Sequence, residues 1–207
     1  LKDLYLLAIN FFFKISNQNL TEYTQQAFEL YIYAIQNGYL LEHHEISRFS
    51  FTNVVTLGIK LKEFAKTEKF IQDYAKYIDK EYRQNTVDFN NAKVFYSKDQ
   101  HQKALRILLT NEFKDILWNL NAKYLTMKIY FEAKDINAFA ITLKAFKNYV
   151  RRKPNIGYHQ TYFINVSKAL TTLMDIYKKP ESFSGFEFDA STPDIDWFNK
   201  ALKGMEK

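Results

Sequence analysis

The residues with the most evident chemical potential are His43, His44 and Glu45, consecutive in the chain. Imidazole and carboxylate are both zinc ligands. Neighbouring residues on a helix point about 100° apart, so adjacent imidazoles converge poorly on one ion. The i, i+4 histidine pair of a zinc-protease helix does not occur, and His101 and His159 stand alone. Cysteine is missing from the composition, which removes thiolate nucleophiles and disulfides. There is no Gly-rich phosphate loop and no Gly-x-Ser-x-Gly elbow. Carboxylates are plentiful, but no spacing marks a pair for acid–base work. The chain therefore reads as a non-enzyme with no catalytic residue, no metal and no cofactor. A second cluster is basic: Lys144, Lys147 and Arg151 fall at i, i+3, i+7, with Arg152 and Lys153 beside them. This secondary basic face suits phosphate or an acidic partner. The preferred reading is a solvated surface whose charges complement the end of its helix.

These side chains must be carried by helices. Of 207 residues, 47% are hydrophobic and 25% charged, enough for a continuous core in a protein of ordinary polarity. Five glycines and three prolines leave little room for long linkers. The net charge of +6 is a mild excess, not the basic stripe of a nucleic-acid binder. No apolar run approaches the roughly 20 residues that span a bilayer. Helical periodicity predicts helices over 3–16, with Leu4, Leu7, Ala8, Phe11, Phe12 and Ile15 as its stripe, and over 21–36, capped by Thr21 and stopped at Asn37-Gly38. Ser16 to Asn19 separates them. Tyr39 to Ile46 is expected as a short helical connection. Further helices are expected over 51–65 (capped by Ser50), 67–82, 86–98, 100–110, 115–133 and 136–152. Pro154, Asn155 and Gly157 then punctuate the chain before a long helix over 158–178. No stretch alternates with period two for long enough to argue a sheet. Residues 179–207 belong to the same domain as 1–178: a loop carrying Phe183, Phe186 and Phe188, then a capping helix. Thr192-Pro193-Asp194 starts that helix, and Trp197, Phe198, Ala201, Leu202 and Met205 form its apolar side.

Gly58-x-x-Leu61, Ala92-x-x-Phe95 and Met127-x-x-Tyr130 recur at 34 and 35 residues, followed at a constant offset by Phe70, Ala104 and Phe139. Periods in this range mean stacked helix hairpins. At these residues the chain resembles tetratricopeptide-repeat proteins. Gly58 and Ala92 match the motif's small eighth position, Leu61, Phe95 and Tyr130 its large eleventh, and Ala104 its small twentieth. Tyr74, Leu108 and Leu143 match the apolar twenty-fourth. Met127, Phe70 and Phe139 depart from it, and the motif's Trp and closing Pro are missing. The resemblance covers residues 50–153. The chain is also similar to a group of bacterial helical-repeat proteins, on Asn121-Ala122-Lys123-Tyr124-Leu125 and Arg151-Arg152-Lys153. That second likeness implies no activity.

The resemblance implies an all-α, right-handed superhelical solenoid of antiparallel helix hairpins, about four of them, closed by a C-terminal capping helix. It also implies a binding surface on the first helix of each hairpin. Carried over, that surface holds Thr52, Val55, Ile59, Lys62 and Glu63, then Thr86, Phe89, Lys93, Tyr96 and Ser97, then Asn121, Tyr124, Lys128, Phe131 and Glu132. Lys62, Phe89, Lys93, Tyr96, Asn121, Tyr124 and Lys128 are the expected partner-binding residues. Lysines among aromatics suit an extended, acidic protein or peptide. The expected function is a non-catalytic protein–protein interaction scaffold. The alternative is a module for RNA or another anionic polymer, using the same lysines with Arg151 and Arg152 and stacking on Tyr96 or Tyr124. A cytoplasmic location is expected. Because Leu1-Lys2-Asp3-Leu4 lacks an initiator Met and already reads as helix, a longer parent chain is expected too.

Overall fold

The computed structural model describes residues 2–16, 21–152, 157 and 159–205. The expected breaks at Asn17–Asn19 and Pro154–Asn155, the Thr21 side chain, Ile15's place in the first stripe, Lys153 and Tyr158 lie outside them. The protein is mostly helical, and its ten described helices pack largely in sequential pairs. They are α1 (Lys2–Ser16), α2 (Thr21–Gln36), α3 (Arg48–Lys60), α4 (Phe64–Tyr74), α5 (Lys80–Ser97), α6 (His101–Thr110), α7 (Ile116–Glu132), α8 (Ile136–Arg152), α9 (His159–Lys178) and α10 (Ile195–Lys203). No described helix is long and apolar enough to cross a membrane.

The chain divides into two compact units, Leu1–Glu112 and Phe113–Lys207. In the first, α1 packs on α2, α3 on α4 and α5 on α6, while α3 also meets α2 and α5. Its core gathers Ile9, Phe28, Tyr31, Phe51, Leu57, Phe70 and Ile78. Among the described side chains of α1, Ile9 is buried, whereas Leu4, Leu7 and Phe11 of the expected stripe are 64%, 69% and 57% exposed. In the second unit α7 packs on α8, α8 on α9 and α9 on α10, around Leu120, Met127, Phe139, Phe146, Phe163 and Phe198.

Local chemistry sets the helix ends. After α2, the Gly38 N–H donates to Ile35 O and the Tyr39 N–H to Ala34 O, with Gly38 at φ 73. This is the αL ending that Asn37-Gly38 predicts. The expected helical connection over Tyr39–Ile46 is instead a small hairpin, β1 (Leu41–Glu42) and β2 (Glu45–Ile46), turned by His43 and His44 at φ 50 and 66. Two consecutive positive-φ residues make the turn type that matches strand twist, which ends helical propagation there. The cap of α3 is Ser47, not Ser50: the Ser50 N–H donates to Ser47 Oγ at 3.0 Å. Helix α5 begins six residues before the expected start, because Asp79 caps it by accepting from the Glu81 N–H at 2.7 Å. Arg83 then ties that first turn to the Ile78 and Lys76 carbonyls. Asp115 caps α7 by accepting from the Leu117 and Trp118 N–H groups.

Three hairpins share one corner. Lys62, Asp99 and Lys134 stand in the left-handed region, at φ 59, 57 and 59. Each is followed by a residue whose N–H reaches back five positions: Glu63 to Gly58, Gln100 to Phe95, and Asp135 to Tyr130. Measured from these corners the repeat runs 37 and then 35 residues, not 34 and then 35. Five residues past each corner stand Thr67, Ala104 and Phe139, all with no exposed surface. Thr67, and not Phe70, is thus the counterpart of Ala104. Gly58 leaves no room for a side chain between α3 and α4: a Cβ there would lie 2.1 Å from Thr67 Oγ1 and 3.2 Å from the Phe28 ring.

Candidate functional site

The corner register brings Thr56, Lys93 and Lys128 to one position, six residues before each corner. In the first unit, Lys93 of α5 donates to Thr56 Oγ1 of α3 at 2.6 Å and lies 5.9 Å from the centre of the buried Phe89 ring. Next to it, Asn90 Nδ2 donates to Thr52 Oγ1 at 2.9 Å. Two neighbouring first helices are therefore joined by a polar row whose acceptors are neutral hydroxyls. Tyr96, one turn on, stacks on His101 at 5.4 Å with 20° between the ring planes. Lys62 is exposed and occupies the corner itself, off the helix face on which the family pattern puts it.

In the second unit the equivalent position meets a carboxylate. Lys128 Nζ is 2.7 Å from Asp194 Oδ2, and the Tyr124 hydroxyl donates to the same oxygen at 2.9 Å. The Lys128 side chain keeps 13% of its surface open and Asp194's 33%. A charge-assisted bond in this half-sheltered place outweighs the same pair in open water. The ammonium also lies over two rings, 5.6 Å from Tyr124 and 5.2 Å from Trp197. Trp197 Nε1 donates to Glu132 Oε1 at 2.7 Å. Tyr124, Lys128 and Glu132 follow at i, i+4 and i+8, so one stripe of α7 holds two residues from the start of α10. Tyr162 of α9 stands close by with 38% of its surface open. Burial, and after it the Asp194 charge, push its phenol up to about 12.

No family model, no curated protein and no solved structure matches this chain.

Of the expected residues, Lys93 with Phe89 and Lys128 with Tyr124 are each brought together on one helix. Asn121 is turned inward on its own helix, donating to the Leu117 carbonyl at 2.8 Å. Lys144, Lys147, Arg151 and Arg152 are all exposed on α8, and Lys147 donates to Thr171 Oγ1 of α9 at 3.2 Å. His43 and His44 sit on the hairpin turn, and among the described residues no group of three or more potential ligands is placed to hold a metal ion. A cleft of about 450 Å³ beside that turn is lined by Glu42, Glu45 and Asp79 together with Arg48, whose guanidinium lies 4.6 Å from the Tyr82 ring centre.

Sequence reasoning missed Asp194 as a site residue. The sequence Thr192-Pro193-Asp194 reads as a hydroxyl cap with Asp194 inside the first turn of the helix. Instead Asp194 occupies the N-cap position at φ 57, ψ 38, with no side-chain bond to its own helix. A signal for this role was present: between Pro180 and Asn199 the chain carries five carboxylates and no Lys or Arg, in a protein of net charge +6.

Proposed function

We propose that this chain is a tetratricopeptide-like scaffold that performs no catalysis and binds an acidic segment of a protein partner on the first helices of its hairpins. In this reading the paired helices continue as a right-handed superhelix, closed at its end by α10. The shared αL corners and the packing of α3 on α5 support it. The observation that carries it is the seat of Asp194, where Tyr124 and Lys128 close on one carboxylate oxygen. A face that holds a carboxylate in this way suits acidic peptides. Lys93 offers the same ammonium beside an aromatic ring in the first unit.

Quantitative affinity capture from the native cell tests the reading. Lys93→Glu and Lys128→Glu should each lose the captured partner while far-UV circular dichroism stays unchanged. Undiminished capture by both variants would overturn the assignment of this face. RNA bound at low salt, and released by Arg151→Ala and Arg152→Ala, would move the function to a nucleic-acid module.

A further inference from the structure

We propose that the C-terminal segment around α10 is a resident ligand of the α7 face. The external partner is then a helix of the same chemistry: a carboxylate at its first turn and an indole-like ring three residues later. This deepens the scaffold reading and rests on it.

Four observations converge. The first is the geometry of Asp194. Side-chain capping is the usual role of Asp at a helix start. Here the carboxylate forgoes it, the backbone adopts the left-handed conformation, and the oxygen instead faces Tyr124 and Lys128. A segment shaped against its local preference is shaped by its seat. The second is the match of two residues to three: Asp194 to Tyr124 and Lys128, and Trp197 to Lys128 and Glu132. The third is charge. Asp194 belongs to a stretch, Pro180 to Asn199, with five carboxylates and no Lys or Arg, and it meets the Lys128 ammonium. The fourth is the tether. Between Ser184 and Pro193 the chain forms no helix or strand, Gly185 lies at φ 73, and Phe188 packs against Phe198 of α10. Such a tether holds a ligand at high effective concentration and still lets it leave.

The consequence is competition. An acidic–aromatic helix in solution reaches the α7 face only when α10 gives way, so the intact chain should bind such a helix weakly and a chain with a loosened α10 should bind it well.

The probe is a fluorescein-labelled synthetic peptide of residues 180–203, followed by anisotropy with the full chain. Asp194→Asn in the chain, with the peptide left unchanged, should tighten peptide binding about tenfold. Adding Lys128→Met to that chain should reverse the gain, and Asp194→Asn in the peptide should do the same. Equal affinity for the wild-type and Asp194→Asn chains, or indifference to Lys128→Met, would overturn the proposal. A second measurement needs no variant. Excess peptide should accelerate amide exchange across α10 of the wild-type chain and leave α8 unchanged; unaltered exchange in α10 counts against the proposal. If Asp194→Asn instead yields a concentration-dependent dimer that excludes the peptide, the occupant is a second copy and the external-partner assignment falls. Peptide binding that ignores Lys128, alongside partner capture that still depends on Lys93, removes this inference and leaves the scaffold. A wild-type chain that captures no partner and, once loosened by Asp194→Asn, binds no peptide removes the scaffold as well.

Discussion

Lys93 and Lys128 hold the same place in their hairpins and meet different partners. Lys93 lies beside Phe89 and donates a hydrogen bond to a neutral hydroxyl, that of Thr56. Lys128 lies between Tyr124 and Trp197 and is matched by a carboxylate. One hairpin position thus serves in one unit as a strut between α3 and α5, and in the other as the partner of a carboxylate. The difference comes from what covers each helix, since residue type and register are common to both.

The largest test of that contrast is Trp197→Ala. It removes a ring that is 6% exposed and packs against Phe198 and Phe131. The second unit should lose about 3–5 kcal/mol, read by urea denaturation. Smaller, but sharper for the comparison, is Lys128→Met. It leaves Asp194 half-sheltered without its cation and should cost about 1–3 kcal/mol, whereas Lys93→Met, which takes the ammonium from the Thr56 hydroxyl, should cost under about 1 kcal/mol. Equal losses would mean that the carboxylate adds nothing to the seat. The smallest effect is a pH dependence. The Tyr162 phenol is raised from 10.0 to about 12 in the folded chain. Its contribution is therefore complete below pH 10 and fades as pH climbs toward 12, where the unfolded chain ionises first. Tyr162→Phe should shallow that alkaline decline, and an unchanged slope between pH 10 and 12 would argue that folding does not raise this phenol.

Much of the helical pattern was legible because it depends on local chemistry. Gly38 ends α2 as its sequence predicts, and α8 was bounded by its own periodicity. The repeat register was only half legible. Gly58 looks like the motif's small eighth residue, yet it serves the corner, where Thr67 presses on α3. The corners themselves carry Lys62, Asp99 and Lys134, so no glycine flags them. Gly58→Ala should expose this difference by costing about 1–3 kcal/mol in thermal unfolding, because a methyl group has no space there. The His43–His44 turn was hidden for a similar reason, lacking the Asn-Gly signal of its turn type. The lysines and aromatics of α5 and α7 are visible in the sequence itself. The bond from Lys128 to Asp194 joins residues 66 positions apart, and periodicity carries no information over that distance.

Both tryptophans of the chain, Trp118 and Trp197, belong to the second unit, and both are buried. Emission excited near the red edge of indole absorption is therefore a private spectroscopic channel for residues 113–207, while far-UV ellipticity sums the helices of both units. If the units melt together, the two signals trace one curve. If they melt apart, the optical signals separate without any label, and the order in which they do so tells which unit holds its fold longer.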